Sequence, residues 1–257
     1  EEHRIAVEKA KKKAKKVFAI GTPIVCACFA FVLVLITVII PKQKMNKNIE
    51  NLNTANVGDT IFFGTYEQDN NIFNGKEDVE WLVLAKEDNK ILVVSDKTLD
   101  CRKYNSSKTS VTWETCTLRK WLNGTFLNKA FSIAERAQIQ NTTVSADNNP
   151  PYSTNPGNAT TDKVFLLSIN EVEKYFNSDE ARKCAPTAYA KAQGARTRDT
   201  YKTQSGVATC WWWLRSPGFD QYSAAGVDRD GDVYERGNLV DYDSDAVRPA
   251  MWISIDG

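Results

Sequence analysis

The tract from Phe219 to Asp245 holds the side chains of this sequence that are best suited to recognition chemistry. It reads FDQYSAAGVDRDGDVYERGNLVDYDSD and contains seven Asp and three Tyr. Tyrosines in loops supply rigid aromatic contact area, and Asp, Asn and Ser beside them supply adaptable hydrogen bonds. Solvated turns that are acidic for solubility are the alternative that this composition allows. The ligand-binding candidates that we select are Asp220, Tyr222, Asp228, Arg229, Tyr234, Arg236, Asp241, Tyr242 and Asp243.

The run DRDGD, residues 228–232, also has the composition of a calcium loop. Its three Asp alternate along the chain, Glu235 follows, and Ca²⁺ prefers carboxylate oxygens. An EF-hand loop, however, places its glycine after the third acidic position and a Glu six residues later. Here the glycine comes two positions early, before the third Asp, and Glu235 only four residues after it, so an Asp-Gly hairpin turn explains the run better. We therefore expect no cofactor, with Ca²⁺ as the alternative.

Histidine is almost absent, which excludes several classes of enzyme. The single one, His3, lies in a basic N-terminal tail. Serine–histidine and cysteine–histidine catalysis and histidine-ligated zinc are therefore excluded from the rest of the chain. Two carboxylates can hydrolyse a glycosidic bond without imidazole. A carboxylate-based hydrolase thus remains the enzymatic alternative, although no Asp or Glu stands out as its acid or base.

Residues 17–40, VFAIGTPIVCACFAFVLVLITVII, contain no charged side chain. As a helix this run is about 36 Å long, which exceeds a hydrocarbon core of about 30 Å, and it is longer than the apolar region of a signal peptide. Seven Lys and Arg precede it and only three Lys follow closely, which predicts a cytoplasmic N-terminus. We expect a basic cytoplasmic tail (1–16), a transmembrane helix (17–40), a polar stalk (41–56) and an extracellular domain (57–257).

Net charge argues against nucleic acid as a partner. The chain carries a formal charge of +1. Residues 1–16 alone contribute +4, from seven Lys and Arg against three Glu, so the remainder is about −3. Domains that bind nucleic acid are strongly basic. The predicted partners are instead the membrane, through residues 17–40, and an extracellular glycan or protein.

Hydrophobic patterns in residues 57–257 predict a mixed α+β domain. Short, β-branched, turn-bounded runs predict strands at 60–64, 80–85, 90–96 and 163–167. Capping boxes predict helices after Ser132 and Ser168, and further helices are expected at 112–124, capped by Thr112, and at 186–194. Strands separated by loops are expected in the last third, with Asp230-Gly231 turning a hairpin.

Three side-chain sets in this domain are expected to be structural. Trp211, Trp212 and Trp213 alternate on a strand that can be apolar on both faces only if it is central and covered. Arg215 and Arg248 lie in apolar strands, so each needs a carboxylate or carbonyl partners. The remaining set is the cysteines outside the apolar run, which either form two disulfides or remain thiols: Cys101, Cys116, Cys184 and Cys210.

Several motifs occur in series along residues 57–255: VGDTIFFGTYEQ, VEWLVLA, ILVVSDKTLDCRKYN, TWETCTLRKWLNGTFLNKAF, DKVFLLSINEVEKYF, WWLRSPG and AVRPAMWI. Together they resemble the bacterial surface-domain family catalogued as domain of unknown function 6273. The last third is also similar in layout to C-type-lectin-like and formylglycine-generating-enzyme-like domains. That resemblance implies a C-type-lectin-like α+β domain whose C-terminal loops form the ligand surface.

One departure from the formylglycine-generating enzymes concerns the cysteines. Those enzymes resemble this layout but use a reactive cysteine pair close in sequence, whereas Cys184 and Cys210 have no neighbouring partner. Catalysis of the formylglycine type is therefore not expected, and no catalytic residue is assigned. The expected function is a membrane-anchored extracellular module for ligand binding or adhesion. A carboxylate-based hydrolase or a formylglycine-type enzyme is the alternative.

Overall fold

The computed structural model describes residues 52–255. The described residues belong to one compact unit, Asn51–Gly257. The predicted cytoplasmic tail and transmembrane helix, and most of the predicted stalk, lie outside the described residues. Within the described part of the chain, no helix is both long enough and apolar enough to span a bilayer.

The Asn51–Gly257 unit is a sheet-rich α+β domain, as the sequence predicts, with thirteen strands and short helices among the described residues. The strands are β1 Thr60–Tyr66, β2 Glu77–Glu87, β3 Lys90–Ser95, β4 Asp100–Cys101, β5 Thr142–Val144, β6 Thr160–Asp162, β7 Thr197–Lys202, β8 Ala208–Cys210, β9 Trp212–Pro217, β10 Ser223–Val227, β11 Val233–Leu239, β12 Ala246–Val247 and β13 Ala250–Ser254. The helices are α1 Thr117–Trp121, α2 Leu127–Ala130, α3 Ile133–Gln138, α4 Ile169–Tyr175, α5 Asp179–Arg182 and α6 Ala188–Ala192, and a π-helical turn, Leu122–Phe126, joins α1 to α2.

The first sheet is antiparallel and has the strand order β1-β2-β3-β13. It confirms the strands predicted at 60–64, 80–85 and 90–96. Alternation buries Val79, Trp81 and Val83 on one face of β2. The closing strand β13 pairs with β3 along its whole length and forms an edge of this sheet, opposite to β1.

The second sheet has the order β11-β10-β9-β12-β4, with β9 in the middle. Trp212 and Trp213 in β9 are fully buried, which confirms that these tryptophans belong to the core. Trp211 lies between β8 and β9, is only half-buried, and makes an edge contact with Tyr234 at 5.3 Å between ring centroids. The predicted hairpin at Asp230-Gly231 is the β10–β11 connection.

Two buried arginines pin this sheet to its surroundings, as predicted. Arg215 forms a two-pronged ion pair with Glu171 on α4 and donates to the carbonyl of Leu166 at 2.9 Å. Arg248 donates to the carbonyl of Ser95 at 3.0 Å and its guanidinium stacks on Trp212 at 5.0 Å. Both charges are therefore compensated inside the domain.

The helices follow their capping signals in most places. Both capping boxes, Ser132 with Glu135 and Ser168 with Glu171, are present. The helix expected at 186–194 is α6, capped by Thr187.

The helix expected at 112–124 differs at both ends. It starts at Thr117, with the Cys116 thiol as its cap, and continues through the π-helical turn to Ala130. Thr112 instead lies in the turn before the helix, where its carbonyl oxygen accepts from the Cys116 N–H at 3.0 Å.

The prediction of a strand at 163–167 is wrong. Only an isolated bridge, Phe165 to Ala250, occurs there, and the strand β6 ends at Asp162. The amide of Asn123 occupies backbone groups at the start of this run. Its oxygen accepts from the N–H groups of Lys163 and Val164, and its nitrogen donates to Val164 O at 2.9 Å. The backbone groups of Lys163 and Val164 that a strand ladder would pair are thus satisfied by a helical side chain.

Candidate functional site

The β10–β11 hairpin separates the predicted site residues into two groups. Ser223 pairs with Leu239 at one end of the hairpin and Val227 pairs with Val233 at the other, so the two ends lie roughly 15 Å apart. The residues next to the first end are Asp220, Tyr222, Asp241 and Tyr242, whereas Asp228 and Arg229 form the turn at the second end. The structure does not bring the nine candidates into one site.

The turn end of the hairpin is packed against the rest of the domain. Arg182 on α5 donates through Nε to the carbonyl of Gly231 at 2.8 Å, and the Thr209 hydroxyl donates to the carbonyl of Arg229 at 2.6 Å. Arg229 itself donates to the carbonyl of Arg196 at 3.2 Å. Together with the contact between Tyr234 and Trp211, these bonds give the turn end a framework role.

The carboxyl groups of Asp228 and Asp230 lie close together in this turn. Burial, followed by the neighbouring Asp230 carboxylate, raises the pKa of Asp228 to about 7. The interaction with Asp228 lowers the pKa of Asp230. Asp228 Oδ1 also accepts from the N–H groups of Asp230 and Asp232, at 3.0 and 3.2 Å, which is how an Asp stabilises a tight turn.

A different acidic group has the spacing that a cation requires. The carboxylate oxygens of Glu67, Asp69 and Glu77, on the β1–β2 loop, lie within 4.8 Å of one another. They already accept hydrogen bonds from their own loop, such as Asn71 N to Glu67 Oε1 at 2.8 Å. Exposed acidic groups of this kind are common in loops without a metal.

The first end of the hairpin carries a surface of exposed aromatic and aliphatic side chains, which we call the aromatic end. Its members are between 39% and 44% exposed: Tyr152, Phe219, Tyr222, Leu239 and Tyr242. The rings of Tyr152 and Phe219 lie 6.4 Å apart, and the Arg236 guanidinium stacks on Phe219 at 4.7 Å. Backbone hydrogen bonds from Val240 N to Tyr222 O and from Tyr242 N to Leu239 O, both 2.8 Å, fix the loops that present them.

A cleft of about 480 Å³ adjoins the aromatic end. We call it the Arg102 cleft, and its lining side chains are Cys101, Arg102, Lys103, Ser106, Thr117, Leu118, Trp121, Gln193 and Asp243. The Arg102 guanidinium stacks on the Trp121 ring at 4.3 Å. Backbone bonds from Asn105 N to Val240 O at 2.7 Å and from Val111 N to Gln221 O at 2.9 Å join the cleft wall to the terminal loops. Only Asp243 of this lining was among the candidates.

Asp245 fixes the terminal loop beneath these surfaces, and sequence reasoning missed it. It is 1% exposed and accepts from Asn238 Nδ2 at 2.7 Å. Burial raises the pKa of this carboxyl to about 7, against the opposing effect of the Asn238 hydrogen bond. The Cys101 thiol donates to the carbonyls of Asp243 and Asp245, both at 3.3 Å. The loop that carries Tyr242 is therefore anchored to β4.

The four cysteines of the described chain are free thiols and all are buried. Burial raises the pKa of Cys101 and of Cys116 to about 12 and the pKa of Cys184 to about 11. Burial also raises the pKa of Cys210. Because the thiolate is the nucleophile, these side chains lack the property of a reactive cysteine.

Comparison with known proteins identifies one family. The model of the family described as "Domain of unknown function (DUF6273)" matches residues 88–255, a span that contains the aromatic end and the Arg102 cleft. Neither a curated protein nor a solved structure matches the chain.

Proposed function

The chain belongs to the DUF6273 family, and we propose that it is a binding or adhesion module whose ligand, a glycan or a protein, contacts the aromatic end and the Arg102 cleft. The aromatic end is the observation that carries this proposal. Exposed aromatic side chains held by fixed loops lose little conformational entropy on binding. Arg102, Gln193 and Asp243 offer the charged and amide groups that would orient a polar ligand beside them.

The proposal extends to fold and location. The uncharged run 17–40 and the basic tail before it favour a single-pass membrane anchor with residues 57–257 outside the cell. We base the proposal of a C-type-lectin-like layout, with the ligand surface on the C-terminal loops, on the order of β9, the β10–β11 hairpin and the closing strand β13. This comparison is an analogy at the level of the fold.

A binding screen tests the proposal directly. The Asn51–Gly257 unit has a core of its own, so it is applied to a glycan array and to intact cells. Changing Tyr222, Tyr242 and Asp243 to Ala is expected to weaken any signal at least tenfold, because truncating central aromatic contacts removes about 1–2 kcal/mol each.

The matched control is Tyr201→Ala, on β7 and outside both surfaces, which should leave the signal unchanged. Binding that survives all three substitutions contradicts the proposed site. Turnover of a bound glycoside that a single Asp→Asn change abolishes would favour a hydrolase instead.

A further inference from the structure

The β1–β2 loop presents two apolar side chains to solvent, and we call Ile72 and Phe73 the knob. Ile72 is 74% exposed and Phe73 is 93% exposed, more than any member of the aromatic end. An apolar pair at this exposure is unfavourable in water unless something covers it. The knob lies outside the span that the family model matches.

Hydrogen bonds within the loop hold the knob in place. Glu77 Oε2 accepts from the N–H groups of Gln68 at 2.7 Å and Asp69 at 3.3 Å. Asp69 accepts from Asn71 N at 2.8 Å and from Asn74 Nδ2 at 2.6 Å. Because the loop is already ordered, docking the knob costs little additional entropy.

The surroundings of the knob are acidic. Glu67, Asp69, Glu77 and Asp78 flank it, whereas the ammonium group of Lys76 is directed to the carbonyl of Lys129 at 2.6 Å. A surface that accepts the knob must therefore combine an apolar pocket with a basic rim. An anionic membrane surface would repel the acidic residues around the knob.

The Arg102 cleft of the same chain has these properties. The partly exposed Trp121 ring contributes apolar surface, Arg102 and Lys103 are exposed on its wall, and its volume of about 480 Å³ is large enough for a phenylalanine side chain. We propose that the knob of one copy inserts into the Arg102 cleft of a second copy. This inference rests on the proposed function only in treating the cleft as a binding site, and it makes the adhesion homotypic.

The geometry of the contact has two consequences. Knob and cleft are different surfaces, so the contact is heterologous and links copies head to tail into chains or rings. A knob in a cleft buries less than the roughly 1,200–2,000 Å² of a stable interface, so single contacts are weak. Many copies on one surface would strengthen the attachment through multivalency.

Sedimentation of the Asn51–Gly257 unit from about 10 μM to about 1 mM tests the inference, because weak interfaces assemble in this range. The wild-type unit is expected to increase in mean mass with concentration. Phe73→Ser and Lys103→Glu should each remain monomeric, and both sites are exposed, so the variants should keep the wild-type melting temperature. Ile133→Ser, at a position that is 80% exposed and outside both surfaces, is the matched control and should assemble like wild type.

Mixing the two variants sharpens the test. The Lys103→Glu copy keeps its knob and the Phe73→Ser copy keeps its cleft, so the mixture is expected to form dimers and nothing larger. A wild-type unit that stays monomeric at about 1 mM, or assembly that Phe73→Ser leaves unchanged, overturns the inference. Asp243→Ala distinguishes this inference from the proposed function. The substitution should weaken glycan or cell binding. It should leave self-association intact, because it removes the one acidic group of the cleft lining and no group that the acidic knob needs.

Discussion

At the scale of single residues, the buried carboxyl of Asp245 links the terminal loop to the pH of its surroundings. Its folded-state pKa of about 7 lies above the value near 3.9 of an unfolded Asp, so the folded state binds its proton more tightly. The stability contributed by this proton is complete below pH 4 and is lost as the pH rises through 7. Above that pH, the fold holds a buried carboxylate whose burial outweighs the stabilising effects of Asn238 and Arg229.

Replacing Asp245 with Asn should therefore stabilise the domain more at pH 8 than at pH 5. The amide cannot ionise, and it can still accept from Asn238 Nδ2. We expect the gain in unfolding free energy over wild type to increase by about 2 kcal/mol between the two pH values. Urea denaturation of both proteins at each pH measures it. A constant difference would mean that Asp245 titrates in the folded state as it does in the unfolded chain.

Residue composition predicts that the terminal loops form a candidate binding surface. It does not predict which side chains of these loops are exposed and which make contacts inside the domain. Tyr222 and Tyr242 are exposed as expected of contact residues, whereas Asp228 and Arg229 are used in turn and framework contacts. Arg102 was missed, because its stacking on Trp121 joins segments that are distant in sequence. Only the fold brings such side chains together.

At the scale of elements, turn and capping residues predict hairpins and helix starts, which depend on residues close together in the sequence. The Asp-Gly turn predicts the β10–β11 hairpin, and two capping boxes predict the starts of α3 and α4. The apolar run 163–167 looks the same whether it pairs in a sheet or is buried without pairing. The side chain of Asn123, about forty residues earlier in the chain, occupies the N–H groups of Lys163 and Val164, and no local pattern indicates that contact.

The docking of the hairpin turn on α5 gives an element-scale prediction. Gly231 has φ +95°, and a Cβ there would overlap the carbonyl of Asp179. Gly231→Ala should therefore lower the unfolding free energy by about 3 kcal/mol or more, from backbone strain and overpacking together. Gly206, with φ +80° and open space around it, separates the two causes. Gly206→Ala should cost only about 1–2 kcal/mol.

Thermal or urea unfolding of the two glycine variants measures these costs. Equal losses at the two positions would contradict the docking of the turn on α5. An added methyl group would meet the backbone of Asp179 at Gly231, whereas it would meet nothing at Gly206.

At the scale of the whole molecule, the last two strands of the domain join its two main sheets. β13 pairs with β3 in the first sheet, while β12 pairs with β9 and β4 in the second, so the last ten residues of the described chain join both sheets. The sequence indicates apolar strands in this region but not their partners. Strand order depends on contacts between segments far apart in the chain, which periodicity does not encode.

The N-terminal limit of the domain is where the sequence was least informative. Residues 41–56 are rich in Asn and Lys and have no apolar period, so the stalk was expected to extend to Asn56. In the structure, Leu52 is 1% exposed and Ala55 is 4% exposed, and the Lys86 ammonium donates to Ala55 O at 2.7 Å. Two isolated apolar residues in a polar segment give no periodic signal, yet they cover part of the core.

A domain that starts at Val57 should consequently be less stable than one that starts at Asn51. Loss of the buried Leu52 side chain alone corresponds to about 2–4 kcal/mol, by analogy with leucine-to-alanine substitutions in cores. Leu52→Ala in the longer unit should reproduce most of the loss, whereas Asn53→Ser, at an exposed position, should reproduce none. Urea midpoints of the four proteins measure this order. Equal midpoints for the two starting points would show that the segment before Val57 is a stalk after all.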